Sequence, residues 1–97
     1  MTKREILKKI KINKSLLAKY GVKRIGLFGS YIKNLQQKNS DIDILIEFNS
    51  EKETFDNLMS IYDVLENIFV NNNIEIVTKN GLSKYIGPYI LKETEYV

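Results

Sequence analysis

Apolar residues recur along this chain with two different spacings. Three short segments are rich in Ile, Val, Leu and Phe and are predicted as β-strands: residues 22–28, 41–48 and 74–78. Two longer segments repeat apolar residues every three or four positions and are predicted as amphipathic helices: residues 2–19 and 55–69. The apolar stripe of the second helix is expected to lie in the core: Phe55, Leu58, Ile61, Tyr62, Leu65, Ile68 and Phe69.

Shorter signals place the remaining elements. Thr2 and Glu5 have the spacing of a capping box, which marks the start of the first helix. A brief helix is predicted from residue 31 to about residue 37, followed by a polar loop. Residues 82–96 predict one or two short helices, interrupted near Gly87-Pro88 because proline breaks a helix interior.

The order and number of these elements define the fold class. A chain of 97 residues suffices for one hydrophobic core, so residues 1–97 are predicted to form a single domain. The predicted class is α/β (α+β), with a small mixed sheet of three to four strands and helices packed mainly on one face.

Two aspartates lie at the start of the second predicted strand. Side chains alternate faces along a strand, so Asp41 and Asp43 share one face while Ile42, Ile44 and Ile46 share the other. Two carboxylates about 7 Å apart repel each other unless something neutralises them. Hard divalent cations prefer oxygen ligands, and a pair of Mg²⁺ ions about 3.5–4 Å apart would fit such carboxylates. The sequence therefore predicts a two-magnesium site here.

A Gly-Ser pair lies at the end of the first predicted strand. Gly29 allows the backbone to approach a ligand closely, and Ser30 can cap the next helix, whose N-terminal end attracts phosphate. Lys33, one helical turn further on, could reach a triphosphate or remain a solvated surface residue. The turn is thus a candidate phosphate site that lies close to the aspartates.

Glu75, in the third predicted strand, is a candidate third acidic ligand. It can face the same side as Asp41 and Asp43 if the second and third strands are neighbours; the alternative is a solvent-facing strand residue without a function. Glu47 lies on the same face but about 13 Å from Asp43 along the strand, and is predicted to be a surface residue.

Composition excludes several kinds of chemistry. The chain has no Cys and no His, which excludes disulfides, thiolate or imidazole nucleophiles and the usual zinc ligands. No apolar run approaches the length of a membrane span, and a cytoplasmic protein with no membrane contact is expected. The net charge of +3 is modest and the lysines are not interleaved with aromatics, so direct nucleic-acid binding is not expected.

The Gly-Ser pair and the Asp-x-Asp pair, taken together, resemble a known signature. Gly29-Ser30, ten residues, then Asp41-Ile42-Asp43 is similar to the motif of the polymerase-beta-like nucleotidyltransferases. The flanking Leu27-Phe28 and Ile44-Leu45-Ile46 resemble more narrowly the minimal nucleotidyltransferase (MNT) family, the small partner in HEPN/MNT toxin–antitoxin pairs. Residues 74–78 and 88–97 extend the likeness over nearly the whole chain. Two departures are Glu75, where the family usually has aspartate, and residues 31–34, which lack a common Arg-Gly.

The resemblance implies a reaction. Asp41, Asp43 and Glu75 would bind two Mg²⁺ ions, Gly29, Ser30 and Lys33 would bind the phosphates of ATP, and Glu75 would also help to deprotonate an acceptor hydroxyl. The implied activity is a protein adenylyltransferase that moves AMP from ATP to a tyrosine of a cognate HEPN ribonuclease toxin, with which it forms a hetero-oligomer. The chain would then act as an antitoxin.

Two other functions stay open at this stage. The chain could neutralise its toxin by binding alone, without catalysis. It could also transfer a nucleotide to RNA ends or to small aminoglycoside-like molecules, although a chain of this size has no separate domain to hold such an acceptor.

Overall fold

The computed structural model describes all residues, Met1–Val97. The chain forms five α-helices and four β-strands, in the order α1 Lys3–Ile12, α2 Lys14–Lys19, β1 Val22–Phe28, α3 Ser30–Lys33, β2 Ile42–Phe48, α4 Phe55–Ile68, β3 Ile74–Thr78, α5 Gly87–Glu93 and β4 Glu95–Tyr96. Single 3-10 turns occupy Ser50–Lys52 and Lys79–Gly81.

The four strands form one mixed sheet in the order β3-β2-β1-β4. β1 runs antiparallel to both β2 and β4, whereas β2 and β3 are parallel. The parallel pair requires a crossover, and α4 supplies it, as in other β-α-β units. The predicted mixed sheet of three to four strands is confirmed.

The hydrophobic core lies on one face of this sheet. The even-numbered apolar residues of β2 pack with Ile25 and Leu27 of β1 and with side chains from four helices and from the residue after α4, namely Ile6, Ile10, Leu17, Tyr31, Ile61, Leu65 and Phe69. Because α1, α2 and α4 all contribute to this single cluster, the prediction of helices mainly on one face is confirmed. The opposite face of β2 carries Asp43, the buried Leu45 and Glu47.

The first predicted helix is in fact two helices. The capping box of Thr2 and Glu5 is confirmed, but α1 ends at Ile12 and α2 begins at Lys14. The side-chain amide of Asn13 donates a hydrogen bond to the carbonyl of Lys9 at 2.8 Å. Asparagine side chains compete in this way with the helical backbone ladder, so the prediction of one continuous helix over 2–19 is wrong.

The brief helix predicted from residue 31 to about residue 37 ends sooner in the structure. α3 covers only Ser30–Lys33, because Asn34 adopts a left-handed conformation with φ of 59°. The predicted extension to residue 37 is therefore wrong. A left-handed residue ends a right-handed helix, and asparagine tolerates that conformation better than most residues.

Residues 82–96 also differ from the prediction. Gly87 and Pro88 begin α5 instead of interrupting a helix, as expected for a proline whose missing N–H has no intrahelical acceptor in the first turn. Residues 95–96 form β4 against β1. A strand of two residues has no alternation of its own, so the chain pattern could not distinguish it from the end of a helix.

The apolar stripe predicted for α4 is buried only in part. Ile61, Leu65 and Phe69 of the predicted α4 stripe are buried, but Phe55, the first residue of the helix, is 73% exposed and does not belong to the core. None of the helices is both long enough and apolar enough to cross a bilayer.

Candidate active site

Strand pairing brings two predicted acidic residues side by side. β2 and β3 are neighbours, and Asp43 is the register partner of Glu75. Paired residues of adjacent strands point to the same face, so both carboxylates lie on the face of the sheet opposite the core. Asp41 lies one residue before β2 and is exposed to solvent, as is Glu75. The condition on which the prediction for Glu75 depended, neighbouring strands, is met.

These carboxylates change the acidity of Asp43. Burial raises the pKa of Asp43 from 3.8 to about 6, with further contributions from the charge of Glu75, its hydrogen-bonding contact, and the charges of Asp41 and Glu93. All four of the other causes act in the same direction as burial. A carboxylate among like charges ionises less readily because each neighbour adds repulsion to the charged form.

No basic side chain relieves this repulsion. The five ion pairs of the protein involve neither Asp41, Asp43 nor Glu75. The acidic group is therefore uncompensated within the chain, and an external cation is the obvious counter-charge.

The Gly29 turn lies directly against Asp43. Phe28 and Asp43 are register partners at the end of the β1–β2 ladder. Gly29 has a φ of 79°, and a Cβ placed on it would overlap Oδ2 of Asp43. Both the backbone conformation and the close contact therefore require glycine here. The turn and the acidic residues form one continuous surface.

The role predicted for Ser30 as a helix cap is wrong. Gly29 is the N-cap of α3, no side chain caps the helix, and Ser30 is its first residue. The N–H groups of Ser30 and Tyr31 lie in the first turn, where a helix offers no backbone acceptor. The Gly29 carbonyl accepts from the N–H groups of Ile32 and Lys33 at 3.1 and 3.0 Å.

Lys33 lies close to the turn but is engaged by a residue that the sequence analysis did not select. Its Nζ is 3.7 Å from Oε1 of Glu93, and the lysine side chain is 57% exposed. The other carboxylate oxygen of Glu93 accepts a hydrogen bond from the N–H of Gly29 at 3.2 Å. Nothing in the local sequence around residue 93 indicates this contact, because it depends on how the last helix folds back.

The acidic side chains of this site are chemically suited to Mg²⁺, but they do not form a complete coordination site by themselves. Asp41, Asp43 and Glu75 offer only oxygen ligands, which Mg²⁺ prefers, and a cation would relieve the repulsion around Asp43. With the side chains in their present orientations, no three acidic groups form a cluster that could hold a metal ion. Magnesium is usually held by one or two carboxylates together with water and substrate phosphates, so a complete protein cage is not required.

Comparison with known proteins identifies the family to which this geometry belongs. The sequence profile described as nucleotidyltransferase domain matches residues 9–97. The chain therefore belongs to the nucleotidyltransferase domain family, and the predicted enzyme class is confirmed. A structure described as that of a candidate minimal nucleotidyltransferase aligns with a TM-score of 0.83 and 25% identity, covering 98% of this chain and 95% of that one. This likeness confirms the narrower resemblance to minimal nucleotidyltransferases.

Relatives carry more specific names. The protein adenylyltransferase MntA of Thermococcus cleftensis is 31% identical over 86 residues, which is 87% of this chain and 83% of the relative. MJ0435 of Methanocaldococcus jannaschii, named as a candidate protein adenylyltransferase, is 37% identical over 78 residues, or 80% of this chain and 82% of that protein. A crystal structure of a toxin–antitoxin with AMP-PNP aligns with a TM-score of 0.67 and 26% identity, covering 91% of this chain and 70% of that one.

Proposed function

We propose that this protein transfers AMP from ATP to a hydroxyl group of a partner protein, a toxin that the modification inactivates. The observation that carries the proposal is the pair of neighbouring carboxylates, Asp43 and Glu75, which no cation of the chain neutralises, with Asp43 packed against the Gly29 turn. It is supported by relatives named protein adenylyltransferases and by the likeness to a toxin–antitoxin crystallised with a nucleotide analogue.

In the proposed reaction the acceptor hydroxyl attacks the α-phosphorus of ATP. A new bond forms between that oxygen and the α-phosphorus, the bond from the α-phosphorus to the bridging oxygen of the β-phosphate breaks, and pyrophosphate leaves. Glu75, exposed at the edge of the group, accepts the hydroxyl proton. Gly29, Ser30 and Lys33 hold the β- and γ-phosphates, which fixes the line of attack; positioning of this kind accounts for a large part of such catalysis.

Two Mg²⁺ ions complete the proposal. Asp41, Asp43 and Glu75 are the residues that would hold them. When bound, the ions would neutralise the charge on the phosphates and on the leaving pyrophosphate.

The acceptor is proposed to be a tyrosine of a HEPN-domain ribonuclease. Asp41 and Glu75 are open to solvent, so the site has no wall of its own on that side. A partner protein that docks there would supply both the missing wall and the hydroxyl.

Label transfer tests the proposal directly. Purified protein is incubated with α-labelled ATP, Mg²⁺ and the protein encoded by the adjacent gene. We expect label on the partner, and no label with Asp41→Asn or Asp43→Asn. Asp63→Asn is the matched control because Asp63 is exposed on α4, away from the acidic group. Absence of label with the wild-type chain would refute the enzymatic proposal.

A second function, neutralisation by binding alone, is favoured by one observation: the acidic side chains do not form a ready three-ligand metal site. Growth rescue in cells that express the toxin separates the two functions. If Asp41→Asn/Asp43→Asn rescues growth as well as the wild type, docking suffices. If the double variant fails while it still co-purifies with the toxin, transfer is required.

A further inference from the structure

We infer that Glu93 is a positioning residue that fixes the Gly29–Ser30 turn and Lys33 for the triphosphate of the nucleotide. The inference rests on the proposed function, because it assigns a support to the phosphate-binding part of that same site. Glu93 lies 64 residues from Gly29 along the chain, and its contact with the turn is made by the side chain.

The register of the sheet aligns Glu93 with Gly29. β1 and β4 pair antiparallel, with Gly26 opposite Tyr96 and Leu27 opposite Glu95. Continuing this register by two residues on each strand places Gly29 opposite Glu93. The backbone of Glu93 is already helical, because α5 ends there. The side-chain carboxylate accepts from the Gly29 N–H in place of a strand carbonyl, and thus extends the ladder to the turn.

Glu93 also projects from a well-anchored segment. The N–H of Val97 donates to the carbonyl of Ile25 at 2.9 Å, and Nζ of Lys14 donates to the carbonyl of Val97 at 2.9 Å. The guanidinium of Arg24 lies 3.7 Å from the centre of the Tyr96 ring. Glu93 is therefore held in place by contacts on its C-terminal side.

The single carboxylate of Glu93 contacts both ends of α3. Oε2 binds Gly29 at the N-cap, and Oε1 pairs with Lys33, the last helical residue. A helix of four residues has no stability of its own, so its orientation depends on such tertiary contacts. The side chain of Glu93 is only 21% exposed, which limits competition by water.

Together these contacts hold the N-terminal side of a turn whose other contacts are the Gly29 carbonyl, which accepts from Ile32 and Lys33, and the side chain of Asp43. Glycine has the widest conformational freedom of any residue, and Gly29 adopts a φ of 79°. The Glu93 carboxylate fixes the N–H of Gly29, and with it the backbone from which the N–H groups of Ser30 and Tyr31 project. Lys33 is oriented by the same group.

Three variants test the inference: Glu93→Ala, Glu93→Gln, and Glu95→Ala as the matched control. Glu95 is two residues along, and its carboxylate pairs with Lys3 at 3.0 Å, away from the turn. Calorimetry with AMP-PNP and Mg²⁺ gives Kd, label transfer gives KM and kcat, and the amide proton shift of Gly29 reports the hydrogen bond.

For Glu93→Ala we expect Kd and KM for the nucleotide to rise about tenfold, which is the loss expected for one hydrogen bond to a charged acceptor, with a smaller change in kcat. Glu93→Gln keeps an acceptor oxygen and should recover most of the affinity and the Gly29 amide shift. Glu95→Ala should match the wild type.

Several outcomes would overturn the inference. Unchanged nucleotide binding by Glu93→Ala would show that the carboxylate makes no contribution to binding. Tighter binding would show that it competes with phosphate. If Glu93→Gln binds nucleotide as weakly as Glu93→Ala, the hydrogen bond is not the cause. If the alanine variant fails to fold, Glu93→Gln is compared with the wild type, and a tenfold loss of affinity with an unchanged Gly29 amide shift would overturn the inference. A wild-type chain that binds no nucleotide would refute the proposed function as well, whereas a nucleotide-binding wild type with an unaffected alanine variant refutes this inference alone.

Discussion

Two acidic residues on one face of β2, Asp43 and Glu47, have opposite electrostatic surroundings. Glu47, near the end of the strand, is paired with three cations: Lys23 at 3.8 Å, Arg24 at 3.9 Å and Lys79 at 3.7 Å. Asp43, four residues earlier, has no basic partner and three acidic neighbours. Both residues are partly buried.

The difference distinguishes the charge-balanced carboxylate of Glu47 from that of Asp43, which is proposed to be functional. The charge of Glu47 is balanced within the chain, so it needs no ligand. The charge of Asp43 is not balanced, and the fold tolerates it at a cost in stability, which is common at sites that bind a cation. The prediction that Glu47 is a surface residue is wrong, because its side chain is only 18% exposed.

The largest predicted effect compares Asp43→Asn with Glu47→Gln in the transfer assay. We expect Asp43→Asn to lower kcat/KM by about a thousandfold or more, because removing a metal ligand forfeits several kcal/mol of transition-state stabilisation. Glu47→Gln should stay within about threefold of the wild type, which corresponds to less than 1 kcal/mol. Comparable losses in both variants would remove the distinction between the two positions.

The next effect concerns the turn that touches Asp43. Gly29→Ala places a methyl group against the Asp43 carboxylate at a φ of 79°. We expect unfolding free energy to fall by about 1–2 kcal/mol and transfer activity to fall at least about tenfold. Gly81→Ala is the control, because Gly81 lies at a turn without positive φ and the one close neighbour of a Cβ there is the Thr78 hydroxyl at 2.9 Å, which can rotate away. Denaturant titration and label transfer measure the two effects, and wild-type activity in Gly29→Ala would contradict the proposed close approach.

A smaller effect is expected on the free energy of unfolding at pH 7. Removing the charge of Asp43 should raise it, whereas removing the charge of Glu47 should lower it. The pKa of Asp43 is raised to about 6 from 3.8, so between these pH values the folded state holds more protons than the unfolded chain. Stability of the wild type therefore falls as pH rises through this window. Asp43→Asn lacks that fall and should be more stable at pH 7 by about 1 kcal/mol, after allowance for solvent screening.

Glu47→Gln should instead lose about 1 kcal/mol at pH 7, because three cations are left without their partner. Urea titrations at pH 4 and pH 7 measure both variants. Equal shifts in the same direction would show that the two carboxylates do not differ in their electrostatic surroundings.

The smallest effect is the response to Mg²⁺. An ion that binds only the folded state, present at about three times its Kd, adds about 0.8 kcal/mol to stability. The melting temperature of the wild type should rise with Mg²⁺ by a few degrees, and Glu47→Gln should rise equally. Asp43→Asn should not respond. A rise of equal size in Asp43→Asn would place the ion elsewhere.

How much of this site could be read from the sequence depends on the distance between the residues involved. Asp41 and Asp43 share a strand, so a period of two predicts their common face. Glu75 required one further step, the pairing of β2 with β3, which the apolar composition of both strands favours. These residues, with Gly29, define the acidic half of the site.

Glu93 and Glu47 could not be predicted, because their surroundings come from several distant segments. The contact of Glu93 with Gly29 depends on a two-residue strand, and the partners of Glu47 come from β1 and from the turn after β3. Local pattern also misplaced the ends of α1 and α3, where single asparagines at positions 13 and 34 decide the boundary.

The position of β3 at the outer edge of the sheet gives Glu75 a second use. An edge strand exposes unpaired backbone groups to other molecules, and charged side chains discourage such pairing. Ile74, Ile76 and Val77 surround this single charge in a strand of five residues. Removal of the charge would leave an apolar edge ready for intermolecular β-pairing, so variants at Glu75 should be checked for self-association before a loss of activity is assigned to chemistry.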